Sequence, residues 1–341
     1  MNSATNASFY ASRLRLELGF RNRRYARGRA HVESYGNPHV IVYAPENGQH
    51  GNFHAPAYSE IAARPEWMRR FDKVHAQAAR SLPKPDLDPP RRWRELDSSM
   101  SSDALLMNVF CTPGVVDSIK VRNLLGIEND AVPAFGWKAR VPLTSGRFDR
   151  TEVDMRIGGL LVEAKLTEGD FQTRESAIVE AYRDFDTVFD RELLPRVELS
   201  PKRRMQASEF PEAYSQELES LIDTLNPPVR STAADPGLDT RMRGEAGYAS
   251  YQLIRNVLAA YASECSFCVF HDARRPDLRE EWFQVMAAVR NSEMRVRMKV
   301  LTWQELSESL PNELQEFLDQ KYGIVAPGKT ASPVEELTDF D

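Results

Sequence analysis

The sequence lacks several features that would assign it at once to a familiar class of protein. No apolar run approaches the roughly 20 residues that a membrane-spanning helix needs, and no signal-peptide core follows the start. Three cysteines are too few for a disulfide framework and favour a reducing compartment. The motifs G-x-G-x-x-G and G-x-S-x-G and the Walker loop are absent, so nucleotide-driven and serine-hydrolase functions have no support. We therefore expect a cytoplasmic protein that does not enter a membrane.

The charge is acidic overall but unevenly distributed. A net charge of −6 counts mildly against a surface built entirely for nucleic acid. The first thirty residues nevertheless contain seven arginines. Further clusters are Arg91, Arg92 and Arg94 and, after an apolar strand, Arg274 and Arg275. Each cluster is either an ordinary solvated face or a surface that contacts phosphate groups, and the sequence leaves both open.

The chain divides at a proline-rich stretch. Four prolines within "SLPKPDLDPPRR" predict a boundary near residue 90, so residues 1–90 are expected to pack on, or extend, a main domain of residues 91–324. Within that domain, residues 169–247 are predicted to form a helical insertion, because "RESAIVEAYRDFDTVFDRELL" is charged and helix-like. Residues 325–341 are acidic, proline-bearing and without periodicity, which predicts a disordered tail.

Elements of both kinds alternate along the main domain. Serine caps before "DALLMNVF" predict a helix over about Ser102 to Cys111, and "YASYQLIRNVLAAYA" is an amphipathic helix. "FGWKARVPL", "CSFCVFHD" and "RVRMKVL" read as strands, with helices after the last two. Cys265 and Cys268 lie in one of these strands, have no second pair to complete a zinc site, and are expected to be buried. The order of elements predicts an α/β domain with a mixed sheet.

The stretch "TEVDMRIGGLLVEAKLTE" predicts a β-hairpin with a type I′ turn, which requires positive φ at both Gly158 and Gly159. Pairing across the turn sets Met155 against Val162 and places two carboxylates opposite each other. Alternation assigns one face wholly to apolar residues: Val153, Met155, Ile157, Leu160, Val162, Ala164 and Leu166. The other face carries Glu152, Asp154, Arg156, Leu161, Glu163 and Lys165.

The facing carboxylates are Asp154 and Glu163, and they need a compensating charge because like charges about 5 Å apart destabilise paired strands. A divalent cation, Mg²⁺ or Mn²⁺, would supply that charge and prefers oxygen ligands. Lys165 shares the face and would offset negative charge on a phosphate. The alternative is a solvent-facing strand pair in which Glu152 pairs with Lys165 and Arg156 neutralises a carboxylate.

Asp154 followed by Glu163-Ala164-Lys165 resembles the PD-(D/E)XK, or restriction-endonuclease-like, nuclease superfamily. The resemblance covers about Arg92 to Leu301 and implies an αβββαβ core with a mixed central sheet and helices on both faces. It also implies an Mg²⁺-dependent nuclease whose metal ligands are Asp154 and Glu163 and whose catalytic set includes Lys165. The chain is more specifically similar to a group of predicted bacterial restriction-endonuclease-like proteins at "SSDALLMN", at "TEVD" with "VEAKLTE", and at "YQLIRN".

The superfamily often adds an acidic residue from its first helix and a polar residue from a later one. Glu95 and Asp103 are the candidates for the first, although an acid in a first helical turn also complements the helix dipole. Gln252 and Arg255 lie three apart in "YQLIRN" and so share a helix face. They either support the site or form a polar surface that hydrogen-bonds to the sheet.

The sequence therefore predicts a metal-dependent nuclease that acts on nucleic acid, DNA in the first place, with restriction or defence as a setting. The alternative is a catalytically inactive nucleic-acid-binding or structural module with the same fold. The complete set of Asp154, Glu163 and Lys165 favours the enzyme. A homodimer is an open alternative to a monomer, and the choice of DNA over RNA and the cleavage specificity are open too.

Overall fold

The computed structural model describes residues 3–36, 39–75, 82–84, 91–150, 152–199 and 245–333. Its strands, in chain order, are β1 (His31–Glu33), β2 (Ile41–Tyr43), β3 (Pro45–Glu46), β4 (Gln49–His50), β5 (Pro133–Lys138), β6 (Val141–Pro142), β7 (Phe148–Asp149), β8 (Glu152–Ile157), β9 (Leu160–Ala164), β10 (Arg174–Glu175), β11 (Arg196–Leu199), β12 (Glu245–Tyr248), β13 (Ser266–His271) and β14 (Met298–Thr302).

The α-helices of the described residues are α1 (Ser3–Tyr25), α2 (Ala55–Ala63), α3 (Pro65–Met68), α4 (Ser102–Phe110), α5 (Ile119–Leu125), α6 (Ser176–Val179), α7 (Phe185–Val188), α8 (Tyr251–Ala262), α9 (Pro276–Ala288), α10 (Ser292–Val296), α11 (Trp303–Ser307) and α12 (Asn312–Tyr322). Two 3-10 helices lie at Arg69–Asp72 and Glu95–Asp97. No helix among these is long and apolar enough to cross a membrane.

A mixed sheet of five strands, in the order β14-β13-β9-β8-β5, forms the centre of the fold. The strands β5, β8 and β9 are antiparallel neighbours, whereas β13 runs parallel to both β9 and β14. The hairpin register is as the sequence predicts, with Met155 opposite Val162 and Ile157 opposite Leu160. Only Gly158 of the turn has a positive φ, 55°, so the predicted type I′ turn is wrong.

Helices cover both faces of this sheet, which confirms the predicted mixed α/β layers. One core lies between the sheet and α1, α4, α5, α11 and α12, and it contains most of the predicted apolar face. The second core lies between the opposite face and α8, α9 and α10, and it includes Leu161. Because β9 is buried along its whole length, the alternative of a solvent-facing strand pair is wrong.

Burial alternates along the whole of β8, but Val153 and Met155, two residues apart, pack in different cores. Gly136 of β5 has a φ of +60° and lies opposite Asp154 at the one position where the β5–β8 ladder has no pair. On one side of this position Met155 packs in the first core; on the other side Val153 packs in the second. Val153 is therefore the exception to the predicted apolar face.

The described part of the predicted helical insertion is largely not helical. The strands β10, β12 and β11 form a separate three-stranded antiparallel sheet, in that order. The long helix predicted over "RESAIVEAYRDFDTVFDRELL" is wrong: only the four-residue helices α6 and α7 form there. Tyr182 and Phe185, from this stretch, are buried in the second core. Residues 200–244 of the predicted insertion lie outside the described residues.

The first and last helices of the described chain pack against each other. Lys321 of α12 is fully buried, and its Nζ donates to Asn22 Oδ1 (2.8 Å) and Asn52 Oδ1 (2.7 Å). Burial lowers the pKa of this lysine well below its usual range. In the predicted disordered tail, Ser332 donates its backbone N–H and its hydroxyl to Asp319, while residues 334–341 lie outside the described residues.

The predicted burial of the strand cysteines is confirmed. Cys265 and Cys268 are both free and buried, and they contribute to different cores on opposite faces of the sheet. They therefore do not converge on a common ligand.

Candidate active site

Asp154 and Glu163 lie side by side where β8 and β9 separate. The last ladder pair is Met155 with Val162, and beyond it the Asp154 carboxylate fills the gap by accepting a hydrogen bond from the Ala164 backbone N–H (2.8 Å from Oδ2). Asp154 as a whole residue is half-buried. The two acids lie together at one end of the hairpin, as predicted. They lie beyond the last ladder pair, however, and not within the ladder.

Lys165 and Glu163 form a buried ion pair. Lys165 Nζ lies 2.9 Å from Glu163 Oε1, and the two residues are 5% and 2% exposed. The expected alternative pairing of Glu152 with Lys165 is wrong, because the ladder ends before these residues and Glu152 turns to Arg70 instead. A buried charge pair of this kind is tolerated only where further hydrogen bonds satisfy it.

Helix α8 supplies those hydrogen bonds. Gln252 Oε1 accepts from Lys165 Nζ (2.8 Å), and Asn256 Nδ2 donates to Glu163 Oε2 (2.7 Å). These two residues are four apart and therefore share a helix face. Arg255 lies beside them and donates to the Glu152 backbone oxygen (3.2 Å). One polar face of α8 thus covers the charged end of the hairpin.

The electrostatics of the site are those of crowded acids. Burial raises the pKa of the Asp154 carboxyl well above its usual range, and the neighbouring Glu163 and Asp103 raise it further. Burial acts to lower the pKa of Lys165, but the carboxylates of Glu163, Glu168 and Asp154 outweigh it, and the pKa is raised. Lys165 therefore stays protonated, whereas Asp154 lacks a sufficient counter-charge.

A second group of charges adjoins Asp154. Asp103, in the first turn of α4, is 6% exposed and accepts from Arg70 Nη2 (2.5 Å). Arg70 Nη1 also donates to Glu152 Oε1 (2.6 Å). Glu95, the other candidate acid, lies 2.9 Å from Lys73 Nζ. Of the two predicted candidates, Asp103 is the one whose charge acts on Asp154.

The donor set suits a hard divalent cation at Asp154 and Glu163. Each carboxylate oxygen has two lone pairs, so Glu163 can keep its bonds to Lys165 and Asn256 and still ligate a cation. Asp154 uses only Oδ2 for the Ala164 N–H. The buried Asn256 Oδ1, a third oxygen near this position, has no hydrogen-bond partner. Within the described residues, no three His, Cys, Asp or Glu side chains are already arranged around one cation position.

The predicted nucleic-acid-binding arginines differ in their surroundings. Arg275 is fully buried and donates to the backbone oxygens of Glu168 and Gly169, which leaves it no surface to offer to a phosphate. Arg274 pairs with Asp272 and Glu17. The surroundings of Arg274 and Arg275 therefore do not support their predicted role in nucleic-acid binding.

In the other cluster, Arg91 pairs with Asp97, Arg94 donates to the Asp72 backbone oxygen, and Arg92 is exposed. Arg92 is thus the member of this cluster that faces solvent freely. The cluster as a whole stays a prediction.

Two residues of the site were not found from the sequence. Asn256 had an available signal, since it follows Gln252 by four positions in the helix already identified. Arg70 had none, because it reaches the site from more than thirty residues before Asp103.

Comparison with known proteins agrees with the family resemblance. A family model described as "Restriction Endonuclease associating with ARP", REase-ARP, matches residues 21–323. The matched range includes Arg70, α4, the hairpin and α8, and hence the whole site. No curated protein and no solved structure matches the chain significantly.

Proposed function

We propose, from the premise that the chain belongs to the REase-ARP family of restriction endonucleases, that it is a metal-dependent nuclease that hydrolyses phosphodiester bonds of DNA. The order α4, β5, β8, β9, α8, β13 fits the αβββαβ core that the resemblance implies. The observation that carries the proposal is the placement of Asp154 beside Glu163, with Lys165 held between Glu163 and Gln252.

Each of these side chains has a role that follows from its contacts. A divalent cation held by Asp154 and Glu163 would polarise the phosphate and lower the pKa of the attacking water. Lys165 carries a fixed positive charge into a poorly solvated position, where it offsets the negative charge that the phosphate gains in the transition state. Gln252 and Asn256 fix the directions of Lys165 and Glu163, so neither has to reorganise during the reaction.

We propose that DNA is held by a surface next to the site, which we call the basic hairpin (residues 138–150). It contains the exposed cations Lys138, Arg140, Arg147 and Arg150 around the paired strands β6 and β7. Lys138 pairs with Glu152 in the β5–β8 ladder, so this surface begins beside the candidate metal ligands. Phe148 is 46% exposed and lies under Arg140, 4.4 Å from ring centre to guanidinium carbon. Clustered cations with an exposed aromatic ring favour a phosphate backbone.

The proposal is tested by cleavage assays on supercoiled, linear and single-stranded DNA in Mg²⁺, Mn²⁺ or EDTA. We expect cleavage with either metal, none in EDTA, and none from Asp154→Asn, which keeps an oxygen for the Ala164 N–H but loses the charge. The matched control is Asp130→Asn, which makes the same change at an exposed loop position. Cleavage by Asp154→Asn at the wild-type rate would place the chemistry elsewhere. Metal-independent DNA binding without cleavage by the wild type would favour the inactive binding module.

The role of the basic hairpin is tested separately by DNA binding. Arg147→Ala combined with Arg150→Ala should weaken binding and reduce the slope of log affinity against log salt by about 1 for each phosphate that the protein no longer neutralises. Lys120→Ala combined with Lys329→Ala removes two exposed cations elsewhere and should leave the slope unchanged. An equal weakening by both pairs of substitutions would show that only the total charge matters.

A further inference from the structure

Arg70 is a buried arginine that the N-terminal region inserts beside the proposed metal site. It lies in the 3-10 helix Arg69–Asp72 and is 9% exposed. Its two terminal nitrogens contact different elements, Asp103 of α4 at 2.5 Å and Glu152 of β8 at 2.6 Å. One guanidinium therefore holds together two acids, one from α4 and one from β8, that would otherwise repel each other.

Strand β5 is shaped to admit this guanidinium. A Cβ atom added to Gly136 would lie 2.6 Å from Arg70 Nη1, closer than atoms can approach without a shift. Gly136 also has a φ of +60°, which side-chain-bearing residues rarely adopt, and it lies opposite Asp154. The glycine therefore leaves Arg70 a place next to the break in the ladder where Asp154 reaches the site.

The charges in this group favour a permanent cation. Asp103 lies near enough to Asp154 for its charge to act on that carboxyl, and Glu152 shares the Arg70 guanidinium with Asp103. Two-metal nuclease sites hold their cations about 3.5–4 Å apart. An arginine stays protonated at every accessible pH and offers paired donors that match carboxylates. Arg70 directs Asp103 and Glu152 toward itself, which leaves Asp154 with Glu163 for an added cation.

We propose that Arg70 is a positioning residue that takes the place of a second divalent cation. It occupies Asp103 and Glu152, so that the site accepts a single metal ion at Asp154 and Glu163. This inference rests on the proposed metal site but not on cleavage itself. Arg70 thus gives the N-terminal region a defined part in the site. Without it, the negative charges of Asp103 and Glu152 would have no cation between them.

The test is the number of Mn²⁺ ions bound per chain, measured by isothermal titration calorimetry and by the electron paramagnetic resonance signal of free Mn²⁺. The wild type should bind one ion. Arg70→Gln should bind two, because Asp103 and Glu152 lose their counter-ion, and adding Asp103→Asn should return the number to one. Arg70→Lys, which keeps a charge, should bind one, as should the matched control Arg69→Gln at the exposed neighbouring position. The metal dependence of cleavage should steepen correspondingly, from first order toward second order in Arg70→Gln.

Two results would overturn the inference: an unchanged single ion in folded Arg70→Gln, or two ions in the wild type with one lost in Asp103→Asn. If Arg70→Gln does not fold, the test uses the single variant Asp103→Asn with Arg70 kept. This variant must still bind one ion. Failure of the proposed function looks different. A wild type that binds no Mn²⁺, with one ion gained in Arg70→Gln and lost again with Asp103→Asn, would reject the Asp154 metal site and support the role of Arg70.

Discussion

Neutralising one member of the buried Glu163–Lys165 pair should destabilise the fold and also impair the proposed cleavage. Both residues are almost wholly buried, and their charged atoms lie 2.9 Å apart. Removing one partner of such a pair commonly costs 3–5 kcal/mol because the other charge stays buried. For Glu163→Gln we expect about 3 kcal/mol, the low end of that range. The reason is that glutamine can still accept from Lys165, which also keeps its bond to Gln252.

The converse substitution, Lys165→Met, should cost about 4 kcal/mol, because Glu163 then keeps only the Asn256 donor in a buried position. The double variant should cost no more than about 4 kcal/mol, well below the sum of the single effects, since it leaves no uncompensated charge.

The assay is urea denaturation followed by circular dichroism at constant pH in EDTA, with Glu128→Gln, an exposed change of the same kind, as the control. That control should stay within about 0.5 kcal/mol of the wild type. Additive single effects, or a cost below about 1 kcal/mol for Glu163→Gln, would show that the pair is not formed as described.

Three other substitutions or conditions probe the same geometry. The raised pKa of Asp154 means that the folded state binds this proton more tightly than the unfolded state, so the wild type in EDTA should lose stability as pH rises from about 4 through the folded pKa. Urea denaturation between pH 4 and pH 8 should therefore show the free energy of unfolding of Asp154→Asn increasing relative to that of the wild type as pH rises. A difference between the two that does not change with pH would contradict this. Met155→Asp places an unpaired carboxylate in the first core and should abolish cooperative unfolding, at a cost of several kcal/mol; a stable variant would mean that the faces of β8 are misassigned. Lys165→Ala should lower kcat by about 10²-fold or more while DNA affinity in Ca²⁺ stays within about twofold, and an equal loss of affinity would assign the lysine to ground-state binding.

The local part of the fold could be predicted because hydrophobic periodicity determines it. The register of Met155 with Val162, the start of α4 after its serine cap and the end of α8 at Ala262 all follow from residues within one element or one turn. Glu163 and Lys165 could be found in the same way, since their spacing on a strand places them on one face.

The remainder depends on contacts that no short stretch of sequence contains. Arg70 meets Glu152 across 82 residues, and the gap that receives it depends on the φ of Gly136. The stretch after β9 has the charge pattern of a helix, yet its aromatic residues Tyr182 and Phe185 pack in the second core. Tertiary packing overrides local propensity in such a stretch. The same packing buries Glu163, which alternation alone places on a merely polar face.

The contact between α1 and α12 has a consequence for the order of events during protein synthesis. Asn22 and Asn52 accept from the ammonium group of Lys321, which is made only 299 and 269 residues after them. Leu14 and Leu18 likewise share their core with Leu314 and Phe317. Pairings this distant in sequence form late, since the intervening chain must be ordered first. The N-terminal segment that carries Arg70 is thus secured by α12, so a growing chain would hold an incomplete candidate site until α12 has been made.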